Sequence, residues 1–178
     1  MKRLSFLLFS FSLAIVFSAS QCNKNSDNEP QLPPQTTTGA MTLGCKVNGK
    51  TFVPRDGNGK PGMFCQYVNL GSGEGGGWFL NIPATNWKSS PIESIHIETD
   101  SLLVEEGATY DFKNQKGYPR AFYFKTTTYL KGDTASGRLH ITKHDRNNRI
   151  LSGTFEFAGT NNSGENVHIT DGRFDIVY

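Results

Sequence analysis

From Met41 to the C-terminus, apolar residues recur at every second position, and that period decides what the chain can fold into. "LGCKVNGKTFVP" alternates Leu43, Cys45 and Val47, turns at Asn48-Gly49 and continues through Phe52. Asn-Gly between two such runs is the strongest short hairpin signal, because a type I′ turn needs positive φ at both central residues. Further runs follow at 63–70, 78–85, 93–99, 108–112, 121–130, 137–144 and 149–159, with a last one from Val167 to Tyr178. Arg146 to Arg149 forms the turn of a second hairpin. In the last run the parity flips at Asp171-Gly172, which reads as a β-bulge with Gly172 at positive φ. Parity places Phe122, Phe124, Phe155 and Phe157 in the core. A sustained helical period is missing after the N-terminal leader, so little or no helix is expected. About nine short strands separated by turns predict an all-β fold, an antiparallel β-sandwich over 41–178; a small up-and-down barrel is the alternative.

The N-terminus is built differently. Met1-Lys2-Arg3 precedes "LSFLLFSFSLAIVF", an apolar run of 14 residues that ends in small residues. This is the pattern of a secretory signal peptide, and it is shorter than the roughly 20 residues a membrane span needs. Lys2 and Arg3 belong to that leader. Of the 18 Lys+Arg, the remaining 16 balance 16 Asp+Glu. With neither net positive charge nor a basic cluster, the chain lacks the electrostatic footprint of a nucleic-acid binder. Residues 23–40, "NKNSDNEPQLPPQTTTGA", are polar and hold three prolines. Such a stretch buries too little surface to offset ordering entropy, so it reads as a flexible tether.

Three cysteines, Cys22, Cys45 and Cys65, are an odd count for an exported chain. If Cys22 carries a lipid, Cys45 and Cys65 are left as a candidate disulfide, which would close a loop of about 20 residues and stabilise by roughly 3 kcal/mol. The alternative for that pair is two buried thiols acting as small apolar residues. "CKVNGKTFVP" together with "GTFEFAGTNNSGENVHITDGRFDIVY" resembles a domain-of-unknown-function family of small Bacteroidetes envelope lipoproteins. The resemblance implies a lipoprotein signal peptide over 1–21, lipidation at Cys22, a tether over 22–40 and an outer-membrane location, with the surface and periplasmic leaflets both open. It carries no catalytic residues. Against the lipidation motif, Gln21 stands where Gly or Ala is usual, and a cut after Ser20 by the ordinary signal peptidase is the competing outcome.

No stretch brings chemistry of its own. "GSGEGG" (71–76) matches a dinucleotide fingerprint in letters, but a strand follows where that motif needs a helix. "RDGNGKPG" (55–62) lacks the closing Glu of a calcium loop. His140 and His144 share strand parity yet stand about 13 Å apart along a strand, so no metal site is assigned and no cofactor is expected. His96, His140 and His168 alternate with inward residues and face solvent. A G-x-S-x-G elbow is missing, and the chain is not expected to be an enzyme. The candidate ligand contacts are the loop aromatics Trp78, Trp87 and Tyr118, which suit a sugar ring or a protein partner. The function these features imply is a non-catalytic binding or structural module in the envelope. A barrel-like carrier of a small apolar ligand is the alternative, and a hydrolase stands behind both.

Overall fold

The computed structural model describes residues 30–125, 128–130, 136–160 and 164–178; the leader and Cys22 lie outside them. Among the described residues there are eleven strands and no helix: β1 Thr42–Val47, β2 Lys50–Phe52, β3 Gln66–Asn69, β4 Trp78–Asn86, β5 Glu93–Thr99, β6 Thr109–Asp111, β7 Pro119–Lys125, β8 Thr128–Leu130, β9 Ser136–Asp145, β10 Ile150–Thr160 and β11 Asn166–Val177. They form two open antiparallel sheets, one in the order β2-β1-β11-β10-β9-β6 and one in the order β3-β4-β5-β7-β8. The fold is a β-sandwich, and the barrel alternative is set aside because neither sheet closes on itself.

Leu43, Leu151, Phe155, Phe157, Ile169 and Ile176 from the larger sheet meet Leu80, Ile82, Ile95, Ile97 and Tyr123 from the smaller one, all buried. Alternation sets these faces, since a strand residue shares its side with the residue two positions on. Asn48 (φ 47°) and Gly49 (φ 83°) make the expected turn between β1 and β2.

Three expectations are corrected. Phe122 and Phe124 face outward, while Ala121 and Tyr123 point into the core. The run "AFYFK" is apolar on both parities, so alternation alone could not choose its inner face. The stretch 121–130 is two strands, β7 and β8, paired antiparallel. The bulge in β11 is present, but the residue at positive φ is Asp171 (54°) and not Gly172. Gly172 is needed for space instead, because a Cβ there would lie 2.4 Å from the Phe155 carbonyl oxygen and 2.5 Å from its ring.

The tether is corrected in its last part. Residues 32–40 lie across the outer face of the six-stranded sheet as a strap. Leu32 and Pro33 cover Gly44, where a Cβ would meet Pro33 Cδ at 2.5 Å. Asp175, on the outward parity of β11 and 1% exposed, accepts from Thr36 Oγ1 (2.6 Å), Gly39 N (2.8 Å), Thr38 N (2.9 Å), Ala40 N (3.1 Å) and Ser152 Oγ (2.7 Å). A polar, proline-rich sequence is ordered here by a single carboxylate more than 130 positions away.

Candidate functional site

The three loop aromatics are not brought together. Trp78 opens β4 and Trp87 follows its end, about 30 Å apart at the rise of a strand. Tyr118 precedes β7 on the Trp78 side, where Gly117 N donates to Asp100 O. Each ring is engaged within the fold. Trp78 stacks on Tyr67 with centroids 4.8 Å apart, and Arg146 Cζ stands 5.9 Å from the centroid of the Trp78 ring. Trp87 donates its Nε1–H to Pro61 O at 2.9 Å under Lys60 Nζ, and Lys113 Nζ covers Tyr118 at 4.4 Å.

Among the described residues the cysteines are two free thiols. Cys45 is fully buried in the core; half-buried Cys65 donates to Val177 O at 2.7 Å. Burial raises both pKa values, so neither sulfur has the thiolate character of a reactive cysteine.

The outward aromatics of β7 mark a different surface, the outer face of the five-stranded sheet. Pairing of β4, β5 and β7 sets Pro83, His96 and Phe122 side by side, and Phe64 N donates to Pro83 O, which carries the row onto the edge. The His96 and Phe122 rings lie 5.6 Å apart at 31°, and Phe122 and Phe124 lie 6.0 Å apart at 14°. Phe64 (47%), Val68 (42%) and Leu70 (63%) add exposed apolar area along β3 and its flanks.

Beside this aromatic row runs a polar one, Gln66, Asn81, Glu98 and Arg120, again in strand register. Arg120 Nη2 holds Glu98 Oε1 at 2.5 Å and its Nη1 reaches Asn114 Oδ1 at 3.4 Å. Its buried Nε finds no acceptor among the described residues. His96 Nε2 meets Asn81 Oδ1 at 2.5 Å, with Glu98 Oε2 at 3.6 Å. Burial, reinforced by Arg120, lowers the His96 pKa against the opposing pull of Glu98. The imidazole is therefore neutral at pH 7, and its Nε2–H donates to Asn81 Oδ1. A flat aromatic strip next to fixed amide, carboxylate and guanidinium groups can stack on the C–H face of a sugar ring and hydrogen-bond its hydroxyls.

The outer face of the other sheet is partly covered by the strap. What stays open is a polar groove of about 430 Å³ beside Gln35, lined by Arg138, His140, Glu156 and Arg173. Sequence reasoning missed the aromatic row because its members come from β4, β5, β7 and the segment before β3, and only pairing brings them together. The one signal in the sequence was the double-faced apolar content of "AFYFK".

A family model described as a domain of unknown function (DUF6252) matches residues 77–177, which span β4 to β11. No curated protein and no solved structure matches the chain.

Proposed function

The chain belongs to the DUF6252 family of domains of unknown function, and from that premise we propose that it is a non-catalytic carbohydrate-binding module held at the bacterial envelope by a lipid on Cys22. The observation that carries the binding reading is the row Phe64–Pro83–His96–Phe122, three aromatic rings and a proline, beside the polar row Asn81–Glu98–Arg120. An open, flat strip of this kind suits an extended polysaccharide, whose successive rings present alternating apolar faces and hydroxyl edges, better than a small ligand that needs enclosure. The carrier alternative rested on a closed barrel and has no such support in two open sheets. The envelope reading draws on the basic-then-apolar leader, the cysteine directly after it and the sequence resemblance to envelope lipoproteins.

Retention of the chain on a panel of insoluble polysaccharides tests the binding reading. At least one glycan should retain it, and Phe122→Ala should weaken that retention about fivefold, the equivalent of roughly 1 kcal/mol for one aromatic contact. Equal retention of the native chain and the variant on every glycan would sink it. Metabolic labelling with a fatty acid, compared between the native chain and Cys22→Ser, tests the anchor separately.

A further inference from the structure

We propose that the strap turns the outer face of the six-stranded sheet toward lipid headgroups and thereby turns the aromatic face outward. This inference rests on the lipid anchor at Cys22. The chain departs from the sandwich where Leu32 and Pro33 cross β1 and β11: Pro33 fills the space over Gly44, and its carbonyl accepts from Arg173 Nη1 at 3.4 Å. Everything from Thr36 to Ala40 is held behind that point by Asp175. The span left between Cys22 and Leu32 is ten residues, which reach at most about 35 Å when fully extended.

That length weights the orientation toward one face, because a nearly fully extended tether is entropically costly. Two sheets about 10 Å apart, with side chains on both outer faces, make a body roughly 20 Å thick. To lay the aromatic face on the membrane, the tether would have to pass the sheet edge at β2 and run down the whole thickness. That path takes about 30 Å of the 35 Å available. Lying with the strapped face down requires no extension at all. Without the Asp175 latch, the free span would run to Met41, 19 residues with a reach of about 65 Å, and neither orientation would need an extended tether. The strapped face is polar around the exit point, with Lys46, Arg138, His140 and Arg173 among Asp171 and Glu156. It suits a hydrated headgroup layer better than the apolar face opposite does.

Photolabelling from the membrane tests this. The chain from Cys22 onward, with Cys65→Ser and with Cys22 joined to a maleimide phospholipid, is bound to phosphatidylcholine vesicles carrying a headgroup carbene precursor. Labelled peptides are then mapped by mass spectrometry. Label should concentrate severalfold on peptides of β1, β9 and β11 over those of β3, β4, β5 and β7. Asp175→Ala should spread it over both faces. So should a ten-residue Gly/Ser insertion after Asn28, which leaves the latch and the fold untouched. Even labelling of the native chain, or label favouring the five-stranded sheet, overturns the proposal. An insertion variant that labels like the native chain also overturns it, since the face would then adhere without help from the short tether. The synthetic lipid keeps the result independent of whether cells lipidate Cys22, and the experiment contains no sugar.

Discussion

The hydroxyl of Thr36 donates to the carboxylate of Asp175 at 2.6 Å, joining residues 139 positions apart in the chain. Burial opposes ionisation of Asp175. The hydroxyls of Thr36 and Ser152 and the amides of Ala40 and Thr38 outweigh it and hold the carboxyl well below the usual range.

This arrangement makes Asp175 a stabilising group with a defined pH range. Its folded pKa lies below the unfolded value of about 3.9, so its contribution is fully present above pH 4 and is lost as the pH falls toward the folded value. Asp175→Ala should cost about 3 kcal/mol at pH 7, because the donors of the strap lose a charged acceptor. Asp175→Asn should flatten the stability profile below pH 4. Urea unfolding at pH 7 and pH 3 checks both, and a native chain equally stable at the two values would contradict the latch.

Two glycines should respond to alanine for different reasons. At Gly172 a Cβ would collide with Phe155, whose carbonyl oxygen would be 2.4 Å away. Neither the β10–β11 ladder nor the packed ring can yield cheaply, so Gly172→Ala should destabilise by about 2–3 kcal/mol. Gly49 has open space around its Cβ but a φ of 83°. Gly49→Ala should cost about 1 kcal/mol, the strain of an L side chain in the left-handed region. Thermal unfolding of the two variants reads the difference, and reversal of their order would refute this assignment.

The same contrast shows what the sequence could and could not reveal. Strand alternation was legible where one face is apolar and the other polar, as in Leu139-His140-Ile141, and those residues lie where parity puts them. It failed at Phe122 and Phe124 because Ala121 and Tyr123 on the other parity are also apolar, and only the pairing with β5 settles the face. The strap was invisible for another reason. Its composition is that of a disordered linker, and the partner that orders it is a single aspartate on the last strand. The candidate site was partly legible as an aromatic surplus. Its position was not, because a loop aromatic such as Trp87 turned onto the neighbouring 55–62 loop while strand aromatics faced out.

Trp87 provides the control that separates those two surfaces. Its ring is committed to Pro61 and Lys60, and a Cβ on Gly57 would lie 2.7 Å from Trp87 Cβ. Trp87→Ala should loosen the 55–62 loop, seen as faster proteolysis there, and leave polysaccharide retention unchanged. Loss of retention equal to that of Phe122→Ala would extend the binding surface to the loop at the Trp87 end of β4.

The thiols should behave as two separate groups. Cys45, 0% exposed, should resist a thiol reagent in the folded chain and react only on unfolding, whereas half-buried Cys65 should react slowly. Counting modified thiols by mass under native and denaturing conditions checks this. A native chain with no titratable thiol even in denaturant would show that the pair is oxidised.

His144 sits in a ring of aromatic contacts that should give the fold a second, milder pH response. Its Nδ1 lies 2.9 Å from Val104 O and its Nε2 lies 3.1 Å from Tyr178 Oη, with the Tyr67 ring edge-on at 5.3 Å. The carbonyl requires a proton on Nδ1, so Nε2 accepts from the tyrosine. Burial lowers the His144 pKa, Arg146 adds to the effect, and the Val104 carbonyl together with Glu106 and Asp145 opposes it. With the folded pKa below the unfolded value of about 6.5, the unfolded chain binds more protons as the pH drops past that value. Stability should therefore be full above pH 6.5 and fall as the pH descends toward the folded pKa. His96, lowered for the same first reason, acts with the same sign. His144→Gln should reduce the slope between pH 7 and pH 5, and the His144 ring resonance should titrate below 6.5 by NMR. A midpoint at or above 6.5 would mean that the ring is held as an imidazolium, and the hydrogen-bond directions given for Val104 and Tyr178 would have to be reassigned.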